Sequence, residues 1–185
     1  DSQPFDLPDG LDNDGDGLVD EATGHGTHVA GLVAAMAPDS RLLILRVLNS
    51  DGVGSAYDVA RAIEYAVQHG ARVINLSLGL LEEVWVVHEA LKFAEDHGCV
   101  VVASVGNWGG SSPSEFPATS GRVISIAASD SLDRAANFTS YRNDVALSAP
   151  GTGIRSAFWN GGYAIWSGTS MSAPLVAGGA ALLLQ

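Results

Sequence analysis

The sequence is poor in cysteine and in positive charge. Cys99 is the single cysteine among 185 residues, which excludes an intramolecular disulfide framework. Lysine and arginine number 9 against 21 aspartates and glutamates, and neither basic residue occurs before Arg41. A chain with a formal net charge of −12 repels nucleic-acid phosphates and anionic lipid. We therefore expect neither nucleic acid nor a membrane as a partner.

Long apolar runs are also missing. The apolar stretch at residues 175–184 is shorter than the roughly 20 residues of a membrane span, and no signal peptide is visible. Hydrophobic residues still make up 46% of the chain, and there are 22 glycines, which suits a compact α/β enzyme with many tight turns. The length allows one sizeable core and is too short for two ordinary domains. We predict one domain over residues 1–185.

Strand-like and helix-like segments alternate after an acidic N-terminal segment. The predicted strands are continuous apolar runs, at residues 41–48, 72–78, 99–105 and 123–128. Helical spacing of apolar residues lies between them and at the end of the chain, at residues 55–69, 83–97 and 170–184. Shorter strands are predicted at residues 144–149 and 153–158. This alternation predicts an α/β fold of three layers, with a mainly parallel sheet flanked by helices.

Three separated segments carry chemistry, namely residues 24–31 (GHGTHVAG), 104–107 (SVGN) and 168–174 (GTSMSAP). A serine at a helix N-terminus faces free backbone N–H groups that can hold an oxyanion. A histidine can take its proton, and an asparagine at the carboxyl end of a parallel strand can donate to the same oxyanion. Together they predict an acyl-transfer site. Spacing alone does not separate His25 from His28 as the base, and Ser172 is a local rival of Ser170.

Other hydrolase patterns fit less well. An α/β-hydrolase needs Gly-x-Ser-x-Gly with a later histidine, whereas Ser172 replaces the last glycine and no histidine follows. A zinc hydrolase needs His-Glu-x-x-His or a similar motif, and the two histidines here have neither the glutamate nor the interval. The chymotrypsin order of histidine, aspartate and serine stays formally open, but the parallel α/β pattern disfavours it.

In this order and spacing the three segments resemble the histidine, oxyanion and serine motifs of subtilisin-like serine proteases, the subtilases of peptidase family S8. Supporting matches extend the similarity over about residues 24–185, at residues 73–79 (VINLSLG), 136–141 (ANFTSY) and 149–151 (APG). The resemblance implies a subtilisin-like fold and a serine endopeptidase that cleaves a polypeptide substrate through an acyl-enzyme. Ser170 is then the nucleophile, His25 the general base and Asn107 the oxyanion donor. Secretion and an N-terminal propeptide outside this chain are implied as well.

The catalytic aspartate of that family has no well-matched counterpart. In the family it ends the first core strand and is followed by threonine or serine and then glycine, whereas Asp1-Ser2-Gln3 lacks both the strand and the glycine. We therefore interpret the chain as part of a catalytic domain, truncated at the N-terminus and, we expect, at the C-terminus, with Asp1 as a weaker candidate for the acid. The alternative is a catalytically impaired or non-catalytic subtilase-like domain that binds peptide or calcium.

The resemblance also implies where substrate binds. Ser77, Leu78 and Gly79 correspond to the edge that pairs with extended substrate backbone, a form of strand addition. The primary specificity pocket would be built from this segment together with Ser104, Val105 and Gly106. Glu115 lies in the loop that closes the pocket, before the fourth predicted strand. If its side chain points inward, a basic residue before the scissile bond is favoured; an ordinary surface glutamate is the alternative.

The acidic N-terminal segment contains an EF-hand-like pattern. The carboxylates of Asp12, Asp14, Asp16 and Asp20 fall at positions 1, 3, 5 and 9, with glycine at position 6. Thr23 stands where the bidentate glutamate belongs, which excludes a full EF-hand. Clustered carboxylates repel one another unless a hard cation bridges them. We predict that residues 1–23 form a structural calcium loop, with an exposed acidic turn as the alternative, and we expect no organic cofactor.

Overall fold

The computed structural model describes residues 10–12, 15, 17–110, 114–141 and 145–185. Its helices and strands follow one another in the order α1 (His25–Met36), α2 (Ala56–Gln68), β1 (Val73–Leu76), α3 (Trp85–Asp96), β2 (Val100–Ser104), β3 (Ile124–Ser129), β4 (Leu147–Pro150), β5 (Ile154–Ala157), β6 (Tyr163–Trp166) and α4 (Thr169–Leu183). Among these residues no helix is both long and apolar enough to cross a membrane.

The first four strands form one parallel sheet in the order β1-β2-β3-β4. Its register pairs Val73 with Val100, Val102 with Ile124, and Ile126 with Leu147. Strands β5 and β6 form a separate antiparallel hairpin, of which only β5 was predicted. Because all four strands of the parallel sheet run the same way, the segments that follow them emerge at one edge, where such sheets place their functional groups.

Helices cover both faces of this sheet. On one face α2 and α3 bury Ile63 and Leu91, which are 1% and 0% exposed, in the larger apolar core. On the other face α4 packs Ala173 and Ala177 against Val102 of β2. Helix α1 lies against α4. The layers are therefore helix, sheet and helix, and the predicted three-layer α/β fold is confirmed.

Helix α2 shows how local sequence sets the ends of an element. Ser55 precedes it in extended conformation, and its hydroxyl accepts the backbone N–H of Asp58 at 3.1 Å, as a helix N-cap does. Apolar residues at helical spacing, including Val59 and Ile63, face the core. The helix ends before Gly70, whose φ of +79° is the left-handed conformation that closes many helices.

The strand predicted at residues 41–48 is wrong. This segment has no regular secondary structure, and Leu42, Leu43 and Ile44 are 40%, 45% and 62% exposed. An apolar run becomes a strand only where a neighbouring strand supplies ladder hydrogen bonds, and β1 is the last strand of the described sheet on this side. A groove of about 680 Å³, walled by α1, α2 and α4, lies between the segment and β1. The segment therefore lacks a strand to pair with in the described part of the chain.

Candidate active site

Ser170 lies in the first turn of α4, beside the segment that follows β1. The Ser77 hydroxyl donates to the Ser170 carbonyl oxygen at 2.8 Å, and the Ser170 hydroxyl lies 3.5 Å from the Ser77 carbonyl oxygen. Ser170 is half-buried. Ser172, in contrast, is 0% exposed, and its hydroxyl donates to the Pro150 carbonyl at 3.2 Å. Of the two serines, Ser170 is the one whose hydroxyl an outside molecule can reach.

His25 begins α1 and borders the same cavity as Ser170. This cavity, about 380 Å³ in volume, is lined by His25, Asn107 and Ser170 among other residues. Gly24 precedes the helix with a φ of +85°, and a Cβ there would lie 2.5 Å from the Phe158 ring. Only glycine allows the chain to enter α1 at this point. The geometry thus brings an imidazole and the serine hydroxyl to one cavity, although the two residues are far apart in the sequence.

His28 is removed from the cavity by burial. It is 0% exposed, and its Nε2 lies 3.2 Å from the Ile154 carbonyl oxygen, to which it donates. Its ring stacks on Trp166 at 5.0 Å between centroids, and His25 stacks on the same indole at 6.1 Å. His28 therefore supports the aromatic wall next to His25, and the structure distinguishes two histidines that spacing alone did not separate.

Asn107 is held in one orientation by the start of α4. Its Oδ1 accepts the Thr169 backbone N–H at 2.9 Å and the Thr169 hydroxyl at 3.1 Å. The same hydroxyl accepts the Gly106 N–H at 3.2 Å. Two donors engage the amide oxygen, so the Nδ2 group of this cavity-lining residue keeps its N–H bonds for another acceptor. An exposed amide donor, fixed by a buried threonine, is what oxyanion stabilisation requires.

The segments predicted to bind substrate lie on either side of the loop around Glu115. Ser77, Leu78 and Gly79 follow β1 and are at least partly exposed. The other segment contributes backbone rather than side chains, since Ser104 and Val105 are 3% and 0% exposed. Gly106, at its end, packs its backbone against Glu115. These residues therefore lie together at the carboxyl edge of β1 and β2.

Only some of the acidic residues predicted for the triad and for calcium binding lie among the described residues. Asp1, the weaker candidate for the triad acid, and Asp14 and Asp16 of the acidic loop lie outside the described residues. The Asp12 carboxylate accepts the N–H groups of Gly15 and Gly17 at 2.6 and 3.0 Å. The Asp20 carboxylate accepts the Gly10 N–H at 3.0 Å.

Carboxylate oxygens are the ligands that calcium prefers, and this preference is the basis of the calcium prediction. Calcium binding by Asp12, Asp14, Asp16 and Asp20 stays a prediction. A rise in Tm on adding calcium, reversed by a chelator, is its measurement.

Sequence reasoning missed three residues at this site. Trp166 stacks on His25, Thr169 orients Asn107, and Glu21 lines the cavity as an exposed carboxylate. Trp166 and Thr169 precede Ser170 by four residues and by one, so proximity to the nucleophile was the available signal. Glu21 stands four residues before His25, in a segment interpreted only as a metal loop.

Comparison with known proteins matches nearly the whole chain to one family. The subtilase family model matches residues 6–185. A thermophilic serine proteinase of Bacillus sp. (strain AK1) is 44% identical over 95% of this chain and 45% of its own length. Thermitase of Thermoactinomyces vulgaris is 39% identical over 92% of this chain and 64% of its own length.

Solved structures agree. The crystal structure of a cold-adapted subtilisin-like serine proteinase superposes with a TM-score of 0.82 at 33% identity, covering 88% of this chain and 61% of that one. The chain therefore spans about half to two thirds of the length of the proteins it matches. Both the sequence match and the fold show that the chain belongs to the subtilase family.

Proposed function

We propose that the protein is a serine endopeptidase that hydrolyses peptide bonds through an acyl-enzyme intermediate. The observation that carries the proposal is the convergence of three groups on one cavity: the Ser170 hydroxyl, the His25 imidazole and the Asn107 amide. They come from α4, α1 and the end of β2, and each is positioned by its own local contacts.

The proposed steps follow from this geometry. His25 takes the proton of Ser170 as the hydroxyl oxygen attacks the scissile carbonyl carbon. The resulting oxyanion accepts hydrogen bonds from Asn107 Nδ2 and from the Ser170 backbone N–H, since the Thr169 N–H already bonds the Asn107 amide oxygen. The tetrahedral intermediate then collapses, His25 gives its proton to the leaving amine, and the peptide is left as an ester on Ser170. Water, activated by the same imidazole, hydrolyses that ester.

The acid that would orient His25 stays a prediction. No aspartate lines the cavity among the described residues, where Glu21 is the carboxylate, and Asp1 lies outside them. Without an orienting acid the imidazole keeps neither its tautomer nor its direction, and activity falls steeply. The second candidate function is therefore a subtilase-like domain that binds peptide without efficient cleavage. Secretion and a propeptide likewise rest on the family resemblance.

A serine-directed fluorophosphonate distinguishes these functions. We expect one reagent per molecule, attached to Ser170 and absent in Ser170→Ala. Ser172→Ala is the matched control, because it removes a neighbouring hydroxyl that is buried and bonded to Pro150, and it should label as the parent does. Labelling that survives Ser170→Ala contradicts the proposal. Labelling without release of peptides from casein selects the non-catalytic alternative.

A further inference from the structure

Glu115 is held between the two segments proposed to bind substrate, namely residues 77–79 and 104–106. Its backbone N–H donates to the Val105 carbonyl at 3.0 Å. Its neighbour Phe116 exchanges two backbone hydrogen bonds with Leu80, at 2.6 and 3.1 Å. Residue 115 is thereby fixed to both the segment after β1 and the segment after β2, so its position does not depend on a free loop.

Two glycines leave room for the Glu115 side chain. A Cβ placed on Gly79 would overlap the Glu115 carboxylate, and a Cβ on Gly106 would lie 2.9 Å from its Cδ. Both glycines, one from each segment, therefore face the same carboxylate. The side chain points inward between the two segments, and the interpretation of Glu115 as an ordinary surface glutamate does not fit this packing.

The charge of Glu115 is only lightly compensated. Its Oε1 accepts a hydrogen bond from the Trp108 indole N–H, which is a neutral donor. Among the residues that the structure describes, ion pairs form at Glu83, Asp96, Glu95 and Asp130, and Glu115 has none. A half-buried carboxylate can accept up to about four hydrogen bonds, so this one retains capacity for a cationic donor.

Residues 77–79 connect the surroundings of this carboxylate to those of the nucleophile. Ser77 contacts Ser170 directly, and Gly79 lies two residues further along. At no more than about 3.3–3.6 Å per residue, at most about 7 Å of chain separates them. A substrate residue whose carbonyl carbon lies at Ser170 can therefore direct a long side chain along residues 77–79 toward Glu115. Lysine and arginine combine this length with a positive charge.

We propose that Glu115 selects substrates with lysine or arginine at the residue that supplies the scissile carbonyl. This assignment rests on the proposed endopeptidase function and names its substrate class. Glu115 acts as a specificity determinant, not in the chemical steps. The bond it would form is a charge-assisted hydrogen bond, which discriminates against a neutral side chain by about tenfold or more.

The test compares two peptide amides that differ only in arginine or glutamine before the cleaved bond. With the parent protein we expect kcat/KM to favour arginine by at least about tenfold, and the isosteric Glu115→Gln to reduce that ratio toward one. Glu89→Gln, on α3, is a control for loss of one negative charge and should keep the ratio. A ratio that is equal for parent and Glu115→Gln overturns the assignment, as does a preference for glutamine.

Binding separates this assignment from the proposed function. The same peptides are titrated into Ser170→Ala and into Ser170→Ala with Glu115→Gln. Tighter binding of the arginine peptide to Ser170→Ala, lost when Glu115→Gln is added, supports the assignment. If the parent then cleaves neither peptide, only the endopeptidase function is contradicted. Equal binding of both peptides to Ser170→Ala overturns the assignment even if the parent cleaves both.

Discussion

Two adjacent glycines in α4 have very different surroundings. A Cβ on Gly178 would lie 2.4 Å from the Cβ of Met36 in α1 and 3.4 Å from the Val33 carbonyl oxygen, whereas a Cβ on Gly179 would meet nothing within 4 Å. Gly178 is therefore the point of close approach between α1 and α4. Replacing each glycine by alanine compares the same chemical change with and without a steric conflict.

Both substitutions gain the same free energy from the higher helix propensity of alanine. Alanine is favoured over glycine in a helix interior by about 0.8–1.0 kcal/mol, so Gly179→Ala should raise the free energy of unfolding by up to that amount. At Gly178 the two carbons would have to separate from 2.4 Å to the 3.5–4.0 Å of a favourable contact. Overpacking of this kind costs about 1–3 kcal/mol. The difference between the variants is the overpacking cost alone.

Urea unfolding followed by fluorescence measures this difference as a free energy, and thermal unfolding measures it as a shift in Tm. At about 2–4 °C per kcal/mol for a chain of this size, Tm of Gly178→Ala should lie roughly 2–12 °C below that of Gly179→Ala. Because α1 begins with His25 and α4 carries Ser170 in its first turn, Gly178→Ala should also slow fluorophosphonate labelling. Equal stability of the two variants would refute the close contact between the helices.

Three further predictions concern the site, the core and the response to acid. Thr169→Val removes the hydroxyl that bonds Asn107 and Gly106; it should cost about 1–3 kcal/mol and slow labelling of Ser170, whereas Thr169→Ser should retain both, and equal labelling rates would contradict the orienting role. Leu91→Ala, at a fully buried position, should lower the free energy of unfolding by about 2–5 kcal/mol, against a change within about 0.5 kcal/mol for Leu81→Ala, which is 85% exposed. Hydrogen bonds from the Arg134 side chain, and then from the Arg134 and Leu132 N–H groups, lower the pKa of Asp130. The stabilisation by ionised Asp130 is therefore present above its unfolded-state pKa and is lost as pH falls through the lower folded pKa. Asp130→Asn should lose less stability than the parent below about pH 4. The same pH dependence of stability in both proteins would contradict this prediction.

Periodicity and capping allowed most of the fold to be predicted from the sequence. Ser55 and Gly70 bracket α2, and apolar runs located β1 to β3 to within two residues at each end. The same reasoning failed at residues 41–48, since an apolar run says nothing about whether a partner strand is present. The local sequence pattern indicates which secondary structure a segment favours, but the hydrogen-bond ladder of a β-sheet needs two segments.

The candidate site divides in the same way. Ser170, His25 and Asn107 could be predicted because each lies in a motif at the end of an element. The buried state of His28 and the inward direction of Glu115 could not, because they depend on contacts with Ile154, Gly79 and Gly106 that are distant in sequence. Asp14 and Asp16 fall outside the described part of the chain, and calcium binding stays a prediction.

The groove beside β1 also bears on how the protein behaves in solution. Its walls come from three helices, so the apolar surface that these helices direct toward the sheet continues past the last described strand. A sheet edge with hydrogen-bonding groups next to apolar walls pairs readily with other extended chains. If this chain self-associates, we therefore expect the association to begin at that edge.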